Sequence, residues 1–291
     1  MFSLYSLYNL LFVTLTLLLS FISNNLLNFW LLLEISSFFL VYSFLNNVDN
    51  TNNNVSSFLF YLFSGISSIL LISGGYFGDL FLILLSLNIK FFLFPFSIIL
   101  YYIFNNCSWY LIFVVGTLFK GFIICLSYLF IDLNSSFNSL IILSIIFTWF
   151  FCIYMYLFNN LNLKGLWLLM SLNSSITMYI ICLNSLNNIF FYFFILYLII
   201  SLFNIYSLFS LSYSYNYNIQ NLSNDFLINY NIYFVSFPFS FNFIYKIISL
   251  IIILSLCNTL ICLLWCFYTI IETFFLFFYF STLLENNSIY Y

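Results

Sequence analysis

Residues 80–104 read LFLILLSLNIKFFLFPFSIILYYIF, an apolar stretch that is interrupted by Lys90 and Pro95. The stretch is about as long as a helix that crosses a lipid bilayer. A proline frees backbone carbonyls inside such a helix, and a charge at its centre costs about 2.5–3.5 kcal/mol on insertion scales. The stretch therefore predicts a broken membrane helix that places an ionisable side chain at mid-membrane depth, as an ion pathway requires.

Further apolar runs of similar length fill most of the chain. They lie near residues 4–22, 27–45, 57–75, 109–131, 138–158, 165–185, 187–211, 238–256 and 258–283. The sequence therefore predicts an all-α polytopic membrane protein with about ten transmembrane helices. We expect residues 1–291 to form a single transmembrane domain with polar loops near 46–56 and 212–228.

The composition excludes a water-soluble fold, because 65% of the residues are hydrophobic and 4% are charged. Ala, Arg and His are absent, whereas Phe, Leu, Ile, Asn, Tyr and Ser are abundant. Most of the depleted residues have GC-rich codons, so the bias suggests an organellar gene. Without His the chain cannot be a respiratory subunit that binds haem or copper through imidazole. The seven cysteines show no CxxC pairing, which favours buried thiols over metal ligands or disulfides.

Nine of the eleven charged side chains fall into two groups. Five carboxylates are expected in loops or at helix ends, where water solvates them, and Asp79 is a plausible helix cap. These five are Asp49, Asp79, Asp132, Asp225 and Glu285. Four other charges lie inside apolar runs, where insertion is costly. They are Glu34, Lys90, Lys120 and Lys246.

The intramembrane charges have two interpretations. Glu34 or Glu272, which lies in the run 258–283, could form a buried ion pair with a lysine and fix helix packing. The three buried lysines outnumber these two glutamates, however. A proton relay explains the excess, because a lysine removed from water gives up its proton more readily than one in solution.

The two prolines of the chain strengthen the relay interpretation. Pro95 follows Lys90 by five residues, and Pro238 precedes Lys246 by eight. Broken helices are tolerated in a membrane where they line a hydrated cavity. The sequence therefore predicts two broken helices, each with an ionisable group.

These residues resemble the antiporter-like membrane-arm subunits of respiratory complex I. The family's W-x-x-x-E motif is matched by Trp30 and Glu34. Its broken-helix motif K-x-x-x-x-P-F-H is matched by Lys90, Pro95 and Phe96, with Ser97 in place of the histidine.

Three later elements of the family pattern follow in the same order. A second lysine is matched by Lys120, and a segment close to A-Y-S-S-I is matched by Ser174, Ser175 and Ile176. The second broken helix, P-P-x-x-G-F-x-x-K, is matched by Pro238, Phe243 and Lys246, whereas Phe239 and Asn242 depart from it. The resemblance covers residues 27 to about 256.

The resemblance implies a truncated antiporter-like fold that lacks the family's first three helices. It implies a proton relay in which Glu34 modulates Lys90, Lys90 is the entry site, Lys120 is the central relay and Lys246 is the exit site. Ser174, Ser175 and Thr177 would either hold relay water or bond to their own helix backbone. Lys164, at a helix start, is expected to snorkel to the interface.

The resemblance also implies the setting of the protein. The chain would lie in the mitochondrial inner membrane as part of an NADH:ubiquinone reductase that translocates protons. Its partners would be other membrane-arm subunits and the bilayer, including cardiolipin, with no nucleic acid. No cofactor is expected in this chain, since FMN, iron–sulfur clusters and ubiquinone would bind other subunits. A stand-alone cation/proton antiporter and a structural spacer with a decayed relay remain the alternatives.

Overall fold

The computed structural model describes residues 4–23, 26–45, 52–121, 137–158, 162–184, 187–216, 240–256 and 259–288. These residues are helical throughout, with short turns and no strand. The first helices are α1 (Leu4–Ile22), α2 (Leu26–Leu45), α3 (Asn52–Phe77), α4 (Leu80–Lys90), α5 (Ser97–Asn106) and α6 (Trp109–Gly116), followed by a 3₁₀ turn, Leu118–Gly121. The remaining helices are α7 (Phe137–Phe158), α8 (Leu163–Asn184), α9 (Asn187–Asn216), α10 (Phe241–Leu256) and α11 (Thr259–Ser288).

The number of membrane-spanning helices is smaller than the sequence predicts. Within the described residues, four helices are long and apolar enough to cross a bilayer: Leu27–Leu45, Asn54–Phe77, Tyr192–Ser210 and Thr259–Tyr279. The prediction of about ten spans is corrected accordingly. Breaks at Pro95 and after Gly116 account for part of the difference, because helices α4, α5 and α6 are too short to span alone. The chain is a helical membrane protein with several shorter apolar helices.

The N-terminal part is built from antiparallel neighbours. Helix α1 packs on α2, α2 on α3, and α3 on α4. The turn between α3 and α4 contains Gly78, which has a positive φ of 67°. Asp79 follows it and caps α4 by accepting a hydrogen bond of 3.0 Å from the Phe81 amide, as the sequence predicts.

Helix α8 is the centre of the second part. Every residue from 165 to 181 is buried, although this segment contains several serines, a threonine and an asparagine. Helices α5, α6, α7, α9 and α10 all pack against it. A helix with several polar side chains that is enclosed by apolar helices is the arrangement expected when those side chains must be kept away from lipid.

The break in residues 80–104 lies where the sequence predicts it. Helix α4 ends at Lys90 and α5 begins at Ser97, with a cis peptide bond between Phe94 and Pro95. Phe92 has a positive φ of 52°, which is unusual for a residue other than glycine. Pro238, the predicted second break, lies outside the described residues. Helix α10 begins at Phe241, after Ser240, whose hydroxyl accepts a hydrogen bond of 3.1 Å from the Phe243 amide.

Residues 109–131 do not form the continuous helix that the sequence predicts. Helix α6 ends at Gly116, and the 3₁₀ turn begins two residues later. A Cβ atom at Gly116 would lie 3.2 Å from the Phe104 ring and 3.3 Å from Trp167 Nε1. The helix therefore ends where its backbone packs closely against α5 and α8, and Lys120 follows in the turn. Residues 122–131 lie outside the described part.

Candidate functional site

Lys120 is the most enclosed of the predicted relay residues. It lies on the 3₁₀ turn with 6% of its surface exposed. Its Nζ atom donates hydrogen bonds to the carbonyl of Ser171, to Ser174 Oγ at 2.8 Å and to Tyr197 Oη at 3.3 Å. All three acceptors are neutral, and no carboxylate in the described part of the chain lies within ion-pair distance of this lysine. Among the described residues, Lys120 therefore has no partner for a buried ion pair.

Two hydroxyl groups extend the site away from Lys120. Ser174 Oγ lies 3.2 Å from Tyr197 Oη and 2.8 Å from the Ser171 carbonyl, so its single proton has two acceptors within reach. Tyr197 Oη in turn donates to the Gly116 carbonyl at 3.1 Å. Helices α6, α8 and α9 thus meet at one hydrogen-bonded cluster. Hydroxyls with alternative acceptors can reorient and pass a proton from one neighbour to the next.

A cavity of about 30 Å³ with both polar and apolar side chains in its lining adjoins this cluster. Ser174 and Tyr197 line one side of it, and Lys246 and Glu272 line another. A cavity needs about 10–15 Å³ of such volume for each water molecule and polar partners to hold it. The cavity therefore has the size and the lining to hold water between Lys120 and Lys246.

Lys246 differs from Lys120 because it forms an ion pair. Its Nζ atom lies 2.8 Å from Glu272 Oε2, with both side chains largely buried. The two atoms are close enough for an ion pair, but their geometry does not meet the angles of a hydrogen bond. Asn173 Nδ2 donates to the same carboxylate oxygen at 3.4 Å, and Trp149 Nε1 lies 3.5 Å from Asn173 Oδ1. For Lys246 the structure agrees with the alternative interpretation, a buried pair with Glu272.

Lys90 lies on the other side of Lys120. It is partly buried at the end of α4 and lines two small cavities, of about 20 and 10 Å³. Lys120 also lines the smaller one, together with Ser171 and Ser175. Glu34 lies within electrostatic range of Lys90, and its Oε1 atom is buried without a hydrogen-bond partner among the described residues. The two lysines are thus joined by a shared cavity.

The remaining predicted hydroxyl residues have separate contacts. Ser175 Oγ donates to the Leu172 carbonyl of its own helix at 2.6 Å, and Thr177 Oγ1 donates to the Ser174 carbonyl at 2.9 Å. Thr177 Oγ1 also lies 2.9 Å from Tyr245 Oη, which ties α8 to α10 beside the larger cavity. Lys164 Nζ, near the start of α8, donates to the Cys107 carbonyl at 2.6 Å, and Lys164 lines none of the three cavities described above.

Three residues of the site are not among the relay residues that the sequence predicts. The sequence indicates Glu272 only as a structural partner, and Tyr197 and Asn173 carry no sequence signal. Tyr197 is one of 25 tyrosines and lies in an ordinary apolar run. Only the packing of α9 against α6 and α8 distinguishes it.

No protein-family model matches this chain, and no curated protein matches it. Among the described residues, no group of three His, Cys, Asp or Glu side chains could hold a metal ion.

Proposed function

We propose that this chain is a proton-translocating membrane-arm subunit of mitochondrial respiratory complex I, of the type of subunit 2. One observation carries the proposal. Lys90 and Lys120 line one small cavity, and the hydroxyl groups that bond to Lys120 line a larger cavity together with Lys246. Inserting a lysine into a membrane costs free energy. Three lysines that are connected by cavities and hydroxyl groups therefore favour a role in transport over a role in packing.

These contacts define a proton route without fixing the direction in which protons move. A proton on Lys90 would pass through the smaller shared cavity to Lys120, and from Lys120 through Ser174 and Tyr197 to the larger cavity. Glu34 would set the charge state of Lys90 at the other end of the route. In this proposal neighbouring subunits transfer electrons from NADH to ubiquinone, and this chain holds and moves protons without binding a redox cofactor. The inner mitochondrial membrane and the other membrane-arm subunits are part of the same proposal.

Lys120 gives the sharpest test of the proposed function. Lys120→Met removes the proton-carrying group and a costly buried charge, so the complex should assemble while proton pumping falls by at least about tenfold. Lys120→Arg should also fail to pump, because a guanidinium does not release its proton at accessible pH. Pumping is measured as NADH-driven acidification in vesicles that contain the assembled complex.

Lys164→Met is the matched control, because Lys164 donates to a backbone carbonyl that is not part of the proposed proton route. It should leave the pumping rate close to that of the parent complex. A Lys120→Arg complex that pumps normally beside a Lys120→Met complex that fails to assemble would show that Lys120 serves only as a structural cation.

A structural spacer is the second candidate, and the Lys246–Glu272 ion pair favours it. A buried pair at 2.8 Å can fix the packing of α10 on α11 without carrying protons. In a spacer, Lys120→Met and Lys120→Arg would both leave pumping unchanged, because neighbouring subunits would move all the protons.

A further inference from the structure

The ion pair between Lys246 and Glu272 determines which group can accept a proton at this end of the proposed route. Lys246 Nζ and Glu272 Oε2 are 2.8 Å apart, and Glu272 has 2% of its surface exposed. In the paired state the lysine is an ammonium group, which has no lone pair and cannot take up another proton. The carboxylate is the only base in the pair. An arriving proton must therefore bind to Glu272 while Lys246 keeps its charge.

We propose that Glu272 is the proton-carrying residue at this end of the route and that Lys246 is a positioning residue that stays protonated throughout. This inference rests on the proposed function and reverses the role that the sequence suggests for Lys246. The step balances simply: the carboxylate and one proton give a carboxylic acid, and release of the same proton restores the ion pair. The pair cycles between zero and one positive charge. The alternative, loss of the proton from Lys246, would leave a bare carboxylate in the bundle.

The surroundings of Glu272 are suited to this role. The carboxylate lines the 30 Å³ cavity, which also contacts Ser174 and Tyr197. Those two hydroxyls bond to Lys120, so a proton that leaves Lys120 reaches Glu272 through hydroxyls and cavity water. Asn173 holds Glu272 Oε2 from the neighbouring helix α8 at 3.4 Å. The amide group keeps the carboxylate at the cavity when protonation removes its charge and weakens its attraction to Lys246.

The position of Glu272 on α11 separates it from lipid. Trp265, Tyr268, Glu272 and Leu276 are all buried on the inner side of this helix. The opposite side presents exposed apolar residues, among them Leu263 and Phe274. A carboxylic acid on the inner side can therefore be neutral or charged without contacting the hydrocarbon.

Three variants of the assembled complex test the inference. Lys246→Arg preserves a permanent positive charge beside Glu272, so pumping should stay within about threefold of the parent. Glu272→Gln removes the base, so pumping should fall by roughly a hundredfold, the range seen when a positioned acid–base group is lost. Lys120→Arg serves as the reference for the proposed function. Infrared difference spectra during turnover should contain a protonated carboxylic acid band that is retained in Lys246→Arg and lost in Glu272→Gln.

The possible failures can be told apart. If Lys246→Arg stops pumping while Glu272→Gln pumps, Lys246 carries the proton and this inference is wrong, although the proposed function stands. If Lys120→Arg pumps normally, the proposed function itself fails. If Glu272→Gln does not assemble, Glu272→Asp decides: it should shift the carboxylic acid band, and an unchanged band overturns the inference.

Discussion

At the scale of single residues, Lys120 and Lys246 show how one side-chain type occurs in two different environments. Lys120 is surrounded by neutral oxygen atoms, whereas Lys246 faces a carboxylate at 2.8 Å. A lysine with neutral partners can alternate between amine and ammonium, because neither form leaves an unpaired charge of opposite sign beside it. The proposed function therefore assigns proton transfer to Lys120, whereas the further inference assigns a positioning role to Lys246.

Tyr197 links Lys120 to the larger cavity, and its hydroxyl can be removed without changing the ring. Tyr197→Phe deletes the group that contacts Lys120 Nζ, Ser174 Oγ and the Gly116 carbonyl. We expect the complex to assemble with a loss of about 1 kcal/mol in stability. Pumping should slow severalfold, because Ser174 alone then joins Lys120 to the cavity.

The control for this prediction lies on the same helix. Tyr206 is 71% exposed, so Tyr206→Phe should change neither pumping nor stability. Both variants are compared by acidification of vesicles and by thermal unfolding of the complex. Equal pumping rates for Tyr197→Phe and Tyr206→Phe would remove Tyr197 from the route.

The sequence reveals the charged members of the site and conceals its neutral ones. Glu34, Lys90, Lys120 and Lys246 are recognisable because a charge in an apolar run is costly and therefore informative. A tyrosine or an asparagine in a membrane helix has no comparable cost, so Tyr197 and Asn173 are indistinguishable from many others. The pairing of Lys246 with Glu272 rather than Glu34 depends on which helices are neighbours, and periodicity does not contain that information.

At the scale of helices, the two breaks have different origins. The break after Lys90 contains a proline, which cannot continue the backbone ladder, and the sequence predicts it correctly. The end of α6 contains no proline. It lies at Gly116, where the backbone approaches Phe104 and Trp167 within contact distance. A break that arises from tertiary packing leaves little trace in composition, so residues 109–131 read as one helix.

The α3–α4 hairpin that leads to Lys90 offers a test of close helix packing. A Cβ atom at Gly74 would lie 2.7 Å from Ile83 Cγ1 and 2.9 Å from the Ile83 backbone nitrogen. Because backbone cannot move aside cheaply, Gly74→Ala should destabilise the protein by about 1–3 kcal/mol. Displacement of α4 should also reduce pumping through Lys90.

Gly65→Ala is the matched control within the same helix α3. A Cβ atom there would contact nothing within 4 Å, and alanine favours a helix over glycine by up to about 1 kcal/mol. Gly65→Ala should therefore equal or exceed the parent in thermal stability. If Gly74→Ala is as stable as Gly65→Ala, α3 and α4 are not packed as closely as the structure places them.

At the scale of the whole molecule, the fold encloses polar residues in an apolar shell. Helix α8 carries most of the hydroxyl and amide groups of the site and is buried over residues 165–181. The exposed side of the bundle is formed by Phe, Leu, Ile and Tyr. Composition alone predicts such a shell, because so few charges could not cover a water-facing surface. Which helix lies at the centre is decided by packing.

The outer side of α11 allows the shell to be tested against lipid. Leu263 is 71% exposed, whereas Trp265, two residues later, is 2% exposed on the inner side. In bilayers whose acyl chains carry bromine, a fluorescence quencher, a tryptophan introduced by Leu263→Trp should be strongly quenched. The parent protein supplies the control, and the signal of its five tryptophans, of which Trp149, Trp167 and Trp265 are buried, is subtracted. Quenching of the introduced tryptophan that is no stronger than that of the parent signal would mean that another protein covers this side of α11.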